Sequence, residues 1–102
     1  MLIASRSLKL QTKRKRRPVL VELFAPEQDS DCWECMYRIT YGASKKEIKI
    51  GGVDSFQALL GAVMLIYSEI TYLETYFGCR LVWNGQGDHH GFPKKIEYEE
   101  RK

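Results

Sequence analysis

The sequence predicts a small α+β domain, in which an antiparallel sheet of about four to five strands packs on one long helix. Several short segments alternate apolar and polar residues with the period of two that is typical of antiparallel strands. One later segment, residues 55–77, repeats its apolar residues at helical spacing between clear start and stop signals. At 102 residues the chain has the length of one domain, so a second core is not expected.

The strands are predicted at about residues 2–11, 19–24, 33–41 and 47–50 and, after the helix, at about 80–83. The third has the clearest pattern, because every second residue from Trp33 to Tyr41 is apolar or aromatic. Short connections favour antiparallel neighbours, so the first four strands should form a meander. We expect a polar connection at 25–31, a closing loop at 84–93 and a charged tail at 99–102.

The helix is bounded by Asp54 as its N-cap, with Gln57 three residues on, and by Gly78 at its end. Its longest uninterrupted apolar run, residues 58–67, is about half of what a membrane span needs. The residues expected to face the sheet are Phe56, Leu59, Leu60, Val63, Ile66, Tyr67, Ile70, Leu73 and Phe77.

The opposite face of the helix is predicted to consist of Ala58, Ala62, Leu65, Glu69, Tyr72 and Tyr76. A solvated face usually holds more Lys and Glu, and tyrosine is enriched at protein interfaces. Leu65, Tyr72 and Tyr76 therefore indicate a contact surface for a protein partner or a homodimer. Scattered surface apolar residues are the competing interpretation, since they are common on soluble proteins.

Basic residues are concentrated near the N-terminus. The net charge is +3, and residues 1–21 carry seven basic groups and no acidic one. The run between the first two strands is Lys13, Arg14, Lys15, Arg16 and Arg17. Five cations can bind phosphates, but no aromatic residue is interleaved as single-stranded nucleic acid would favour. A solvated hairpin tip is the favoured interpretation, and phosphate or nucleic-acid binding is the alternative.

The cysteines predict neither a disulfide framework nor a metal site. Cys32 and Cys35 have C-x-x-C spacing, but an alternating strand sends them to opposite faces, and Cys79 is distant in sequence. We therefore expect no cofactor and no metal. Three cysteines and no apolar leader behind the first methionine indicate a cytoplasmic protein, with no membrane association expected.

The loop after the last strand offers a second candidate site, for a small ligand, formed by Trp83, His89, His90 and Phe92. A general base needs a nucleophile or acid partner, and the spacing dictates none. The glycines match no phosphate-binding motif. A non-enzymatic role is therefore favoured, and a small enzyme or ligand binder that uses this loop is the alternative.

Several motifs together resemble an uncharacterised bacterial domain-of-unknown-function family. They are Trp33-x-Cys35-x-Tyr37, the segment from Gly52 to Leu59, Leu81-Val82-Trp83 and Gly91-Phe92-Pro93. The resemblance covers most of the chain and implies a free-standing small domain of bacterial origin. It assigns no activity or binding residue, and neither Cys32 nor the run Lys13–Arg17 belongs to the pattern.

Overall fold

The computed structural model describes residues 1–11, 16–83 and 89–93. Within these residues the protein has six strands and one helix, and the predicted α+β class with an antiparallel sheet is confirmed. The elements are β1 Leu2–Gln11, β2 Arg16–Phe24, β3 Glu27–Asp29, β4 Cys32–Tyr41, β5 Ser44–Gly52, α1 Ser55–Phe77 and β6 Leu81–Trp83.

All strand pairs are antiparallel, and β4 is paired along both of its edges. β2 and β5 both pair with the second half of β4, so they lie on opposite edges of it. β1 pairs with β2 on its far side, and β6 pairs with β1 through Leu8–Trp83 to Leu10–Leu81. α1 therefore carries the chain from the β5 edge of the sheet to the β1 edge.

The short strand β3 lies in the segment that was expected to be a polar connection. It pairs with the start of β4 and continues the line of β2. Between the pairs Leu23–Tyr37 and Glu27–Glu34, the chain advances four residues on one side and three on the other. One extra residue of this kind is a β-bulge. This bulge is not apparent from the sequence, because Pro26 and the polar residues around it are typical of a loop.

The core lies between one face of the sheet and α1. Alternate residues of the strands supply its sheet side, as the period of two predicts: Leu8, Leu10, Val19, Val21, Cys35, Tyr37, Ile39 and Leu81. The opposite face carries polar and charged groups, including an ion pair in which Arg38 contacts Glu22 and Glu47 at 3.4 and 3.6 Å. One buried and one open face is typical of antiparallel sheets.

Local signals set both ends of α1, and both predictions are confirmed. The Asp54 carboxylate accepts a hydrogen bond from the Gln57 N–H at 2.8 Å, and the Gln57 amide oxygen accepts one from the Val53 N–H at 2.7 Å. At the other end Gly78 is left-handed, with φ of 65°, which costs glycine little.

The predicted core-facing side of α1 is partly wrong, because the helix is rotated toward its small residues. Its buried residues are Ala58, Ala62, Ile66, Ile70 and Leu73, whereas Phe56 and Leu60 are 75% and 53% exposed. The sheet brings bulky side chains such as Tyr37 and Ile39 to this interface. Close-packed interiors must match volumes across an interface, so alanine faces them from the helix.

α1 is long and apolar enough to cross a membrane, judged by length and composition alone. The core helix of a soluble protein meets the same criterion. Here α1 contributes five buried residues to a globular sheet–helix unit.

Candidate interaction surface and loop cluster

The predicted contact residues Leu65, Tyr72 and Tyr76 lie on the side of α1 that is next to β5; we call them the outer flank. Their exposed fractions are 37%, 61% and 69%. The rings of Tyr72 and Tyr76 stack with centroids 6.1 Å apart. Two alanines expected on this face, Ala58 and Ala62, are buried against the sheet instead. The outer flank is thus narrower than predicted and wholly aromatic or aliphatic.

The exposed surface of α1 carries no charged side chain. Its only ionisable acids or bases apart from tyrosine are Glu69 and Glu74, and both are partly buried. Glu69 forms an ion pair of 2.7 Å with Lys46 of β5. Glu74 accepts a hydrogen bond of 2.9 Å from the backbone N–H of Leu81. Both carboxylates bind groups of their own sheet, so the outward surface of this 23-residue helix is neutral.

β5 presents a free edge beside the outer flank. It pairs with β4 on one side, and no described strand pairs with the other. The helix lies close above it: a Cβ atom on Gly61 would come within 3.0 Å of Ile50 Cγ2. Ile50, Gly61 and Leu65 line one shallow depression between helix and strand. A row of unpaired backbone N–H and C=O groups is a template for pairing with another chain.

The predicted loop residues Trp83, His90 and Phe92 come together on the helix side of the sheet, around Arg6 of β1. The Arg6 Cζ atom lies 3.7 Å from the Trp83 ring centroid and 4.7 Å from that of Phe92. Its Nη1 donates a hydrogen bond to the His90 carbonyl oxygen at 3.3 Å. Cations attract the faces of aromatic rings. Arg6 therefore holds the loop against the sheet. We call Arg6, Trp83, His90 and Phe92 the loop cluster.

Gly91 allows the close contact between this loop and Trp83. Its φ is 78°, a left-handed conformation that glycine adopts readily. A Cβ atom there would lie 2.3 Å from Trp83 Cε3, well inside contact distance. Any larger residue would push the loop away from the sheet.

His90 is held in its neutral form. Its Nδ1 accepts a hydrogen bond from the Phe92 N–H at 3.0 Å, and its Nε2 lies 4.0 Å from Glu74 Oε1. Burial lowers the pKa of His90 below its usual value of 6.5; Glu74 opposes this effect, while His89 and Arg6 add to it. Its ring also packs edge-on against Tyr67. Among the described residues, no Ser, Thr or Cys side chain forms a hydrogen bond with the His90 ring.

His89, the remaining predicted loop residue, does not join the cluster through its side chain. It is exposed, and its carbonyl oxygen accepts a hydrogen bond of 2.9 Å from the Trp83 N–H. Its part in the loop is therefore a backbone contact. Arg6, by contrast, was missed by sequence reasoning, because it lies more than 70 residues from Trp83 along the chain.

Of the predicted phosphate-binding run, Lys13, Arg14 and Lys15 lie outside the described residues. Arg16 and Arg17 begin β2 and are exposed, and Arg16 pairs with Gln11 of β1. Arg16 and Arg17 thus belong to a strand and not to the predicted hairpin tip, because the pairing with β1 extends to Gln11. Phosphate or nucleic-acid binding at this position stays a prediction.

The three cysteines are free and differ in exposure: Cys32 is exposed, Cys35 buried and Cys79 intermediate. The Cys35 thiol donates a hydrogen bond to the Phe24 carbonyl oxygen at 3.3 Å, and burial raises its pKa. Within residues 1–11, 16–83 and 89–93, no group of three or more His, Cys, Asp or Glu side chains is placed to hold a metal ion.

These observations define a small α+β domain with a neutral exposed helix surface and a loop fastened by a stacked arginine. The family model described as "Domain of unknown function (DUF6968)" matches residues 4–94, so the chain belongs to this family. The resemblance to an uncharacterised domain family is thereby confirmed, while the bacterial origin and the motifs stay predictions. No curated protein and no solved structure gives a significant match to the chain.

Proposed function

We propose that the domain is a non-enzymatic interaction module that forms a homodimer through the outer flank of α1 and the free edge of β5. The observation that carries the proposal is the uncharged exposed surface of α1, next to an unpaired strand edge. A helix that faces only solvent normally carries charged residues on that side. Here Leu65, Tyr72 and Tyr76 lie on the exposed surface together with the uncharged polar residues Ser68, Thr71 and Thr75.

The charges of β5 favour one register for pairing with a second copy. If two β5 strands pair antiparallel around a two-fold axis at Ile48, Glu47 lies opposite Lys49 of the second copy, and the reverse contact is made as well. A shift of one residue in one direction would place Lys46 opposite Lys49. The lysines of β5 thus oppose open-ended aggregation while they permit this closed pair.

The same register brings the outer flanks of the two copies together. α1 runs antiparallel to β5, with Glu69 level with Lys46 and Gly61 level with Ile50. The distances along the two elements agree. The four residues from Lys46 to Ile50 cover about 13 Å of strand, and the eight from Gly61 to Glu69 cover about 12 Å of helix. Leu65, midway between Gly61 and Glu69, is therefore level with Ile48. An axis at Ile48 sets the two Leu65 side chains facing each other above the joined sheet.

The experiment compares two substitutions of the same chemistry on opposite sides of α1. Leu65→Glu places two carboxylates at the axis, and we expect the dimer dissociation constant to rise by about tenfold or more. Leu60→Glu changes a more exposed leucine on the other side of the helix and should leave the constant unchanged. Sedimentation velocity over a concentration series measures both, with circular dichroism as the check on folding.

A charge exchange tests the register independently. Glu47→Lys alone sets like charges opposite each other and should weaken the dimer, whereas Glu47→Lys combined with Lys49→Glu should restore it. Equal sedimentation of all these variants and the wild type would contradict the proposal. Flotation of a monomer with lipid vesicles would contradict it too, and would assign the neutral helix surface to a membrane.

Bacterial origin and a cytoplasmic location are part of this proposal. The three unpaired cysteines support a reducing compartment, since domains of this size in oxidising compartments often carry disulfides. The Nδ1 atom of His90 accepts the Phe92 N–H at 3.0 Å, and this supports a structural role for the imidazole in the loop.

A further inference from the structure

An apolar groove lies between α1 and the loop cluster, on the side of the helix away from the outer flank. Its floor is formed by Ala4, Val21 and Leu23 of the sheet, and its walls by Val63 and Ile66 of α1 and by Phe92. The cavity measures about 100 Å³. The remaining described residues that line the groove are Ser5 and Arg6. The groove is therefore an apolar slot with one cation at its margin.

Arg6 has no carboxylate partner within the described part of the chain. Glu74 and Glu69, the acids on the facing helix, bind Leu81 and Lys46. Burial lowers the pKa of Arg6, because part of the water shell of its guanidinium is removed. A partly buried charge of this kind favours an anion that pairs with it.

The loop cluster fixes the guanidinium in a geometry that suits a planar anion. The rings of Trp83 and Phe92 contact the Arg6 Cζ atom, and one N–H binds the His90 carbonyl oxygen. Arginine has five N–H donors, so most are left for a ligand. A guanidinium held in one orientation loses less rotational freedom on binding, and its fork matches a carboxylate.

We propose that this groove binds a short aliphatic monocarboxylate, with its carboxylate on Arg6 and its chain between Val63, Leu23 and Phe92. An apolar cavity of about 150 Å³ holds a benzene ring, so about 100 Å³ holds roughly the last four carbons of a six-carbon acid, whose carboxylate and first methylene would lie at the margin beside Arg6. The site is independent of the proposed dimer, because it lies on the other side of α1.

The test uses hexanoate, with hexanol as a probe of similar chain and no charge. Titration of ¹⁵N-labelled protein by NMR should show hexanoate binding at millimolar concentration, with shifts centred on Arg6, Val63 and Phe92. Hydrogen bonds to a charged group make its affinity about tenfold or more above that of hexanol. Equal affinities, or shifts centred elsewhere, would overturn the proposal.

Two variants test separately what Arg6 and the apolar groove contribute to hexanoate binding. Arg6→Lys keeps the cation but loses the planar fork, and Val63→Phe fills the groove without touching the stack on Trp83. Each should weaken hexanoate binding about tenfold or more, while Arg16→Lys, at an exposed arginine of β2, should leave it unchanged. If Arg6→Lys does not fold, Val63→Phe alone decides: undiminished binding by that variant would refute the site.

Discussion

At the scale of single residues, the fold sets the charge state of His90 through burial and one hydrogen bond. Its Nδ1 accepts the Phe92 N–H, so protonation would place two donors against each other and break that contact. Its pKa is lowered mainly by burial. The folded state therefore binds fewer protons than the unfolded state at pH values just below 6.5, and the free energy of unfolding rises with pH there.

We expect the contribution of neutral His90 to be complete above the unfolded pKa of about 6.5 and to be lost as the pH falls through the lowered folded pKa. The melting temperature should therefore drop between pH 7.5 and 5. His90→Asn offers Oδ1 as the acceptor for the Phe92 N–H and does not titrate, so its drop should be smaller. Identical pH profiles for the two proteins, measured by calorimetry, would refute this account of the loop.

At the scale of elements, α1 shows where sequence patterns succeed and where they fail. Asp54 and Gly78 predict its ends correctly, because capping depends on residues close in sequence. The rotation of the helix is not predictable in this way. A helical wheel ranks Phe56 and Leu60 as core, but which arc is buried depends on the volumes that the sheet brings to the interface.

The observed rotation of α1 predicts how two substitutions change the free energy of unfolding. Ala62→Leu should destabilise the protein by about 1–3 kcal/mol, because extra methylenes must enter a packed interface. Leu60→Ala removes an exposed side chain and should change the stability by no more than about 0.5 kcal/mol. Urea unfolding of both variants measures the two values. If Leu60→Ala lowered the free energy of unfolding more than Ala62→Leu, the helical-wheel prediction would be supported and the observed packing of α1 contradicted.

At the scale of the whole molecule, topology places together residues that no local pattern connects. The alternation in β4 predicts an antiparallel sheet, since its period is a local property. The pairing of β6 with β1 is a long-range contact that brings Trp83 beside Arg6, and the loop that follows then places Phe92 there too. The histidine loop was therefore predicted as a candidate site, but its cation was not.

The same topology leaves β5 and the outer flank of α1 together at one edge of the sheet. Self-association through that edge is the central claim, and the mass of the unmodified protein in solution tests it most directly. Native mass spectrometry over a concentration series should show a species of twice 11.9 kDa that becomes dominant as the concentration rises. A single species of 11.9 kDa at every concentration would contradict the claim.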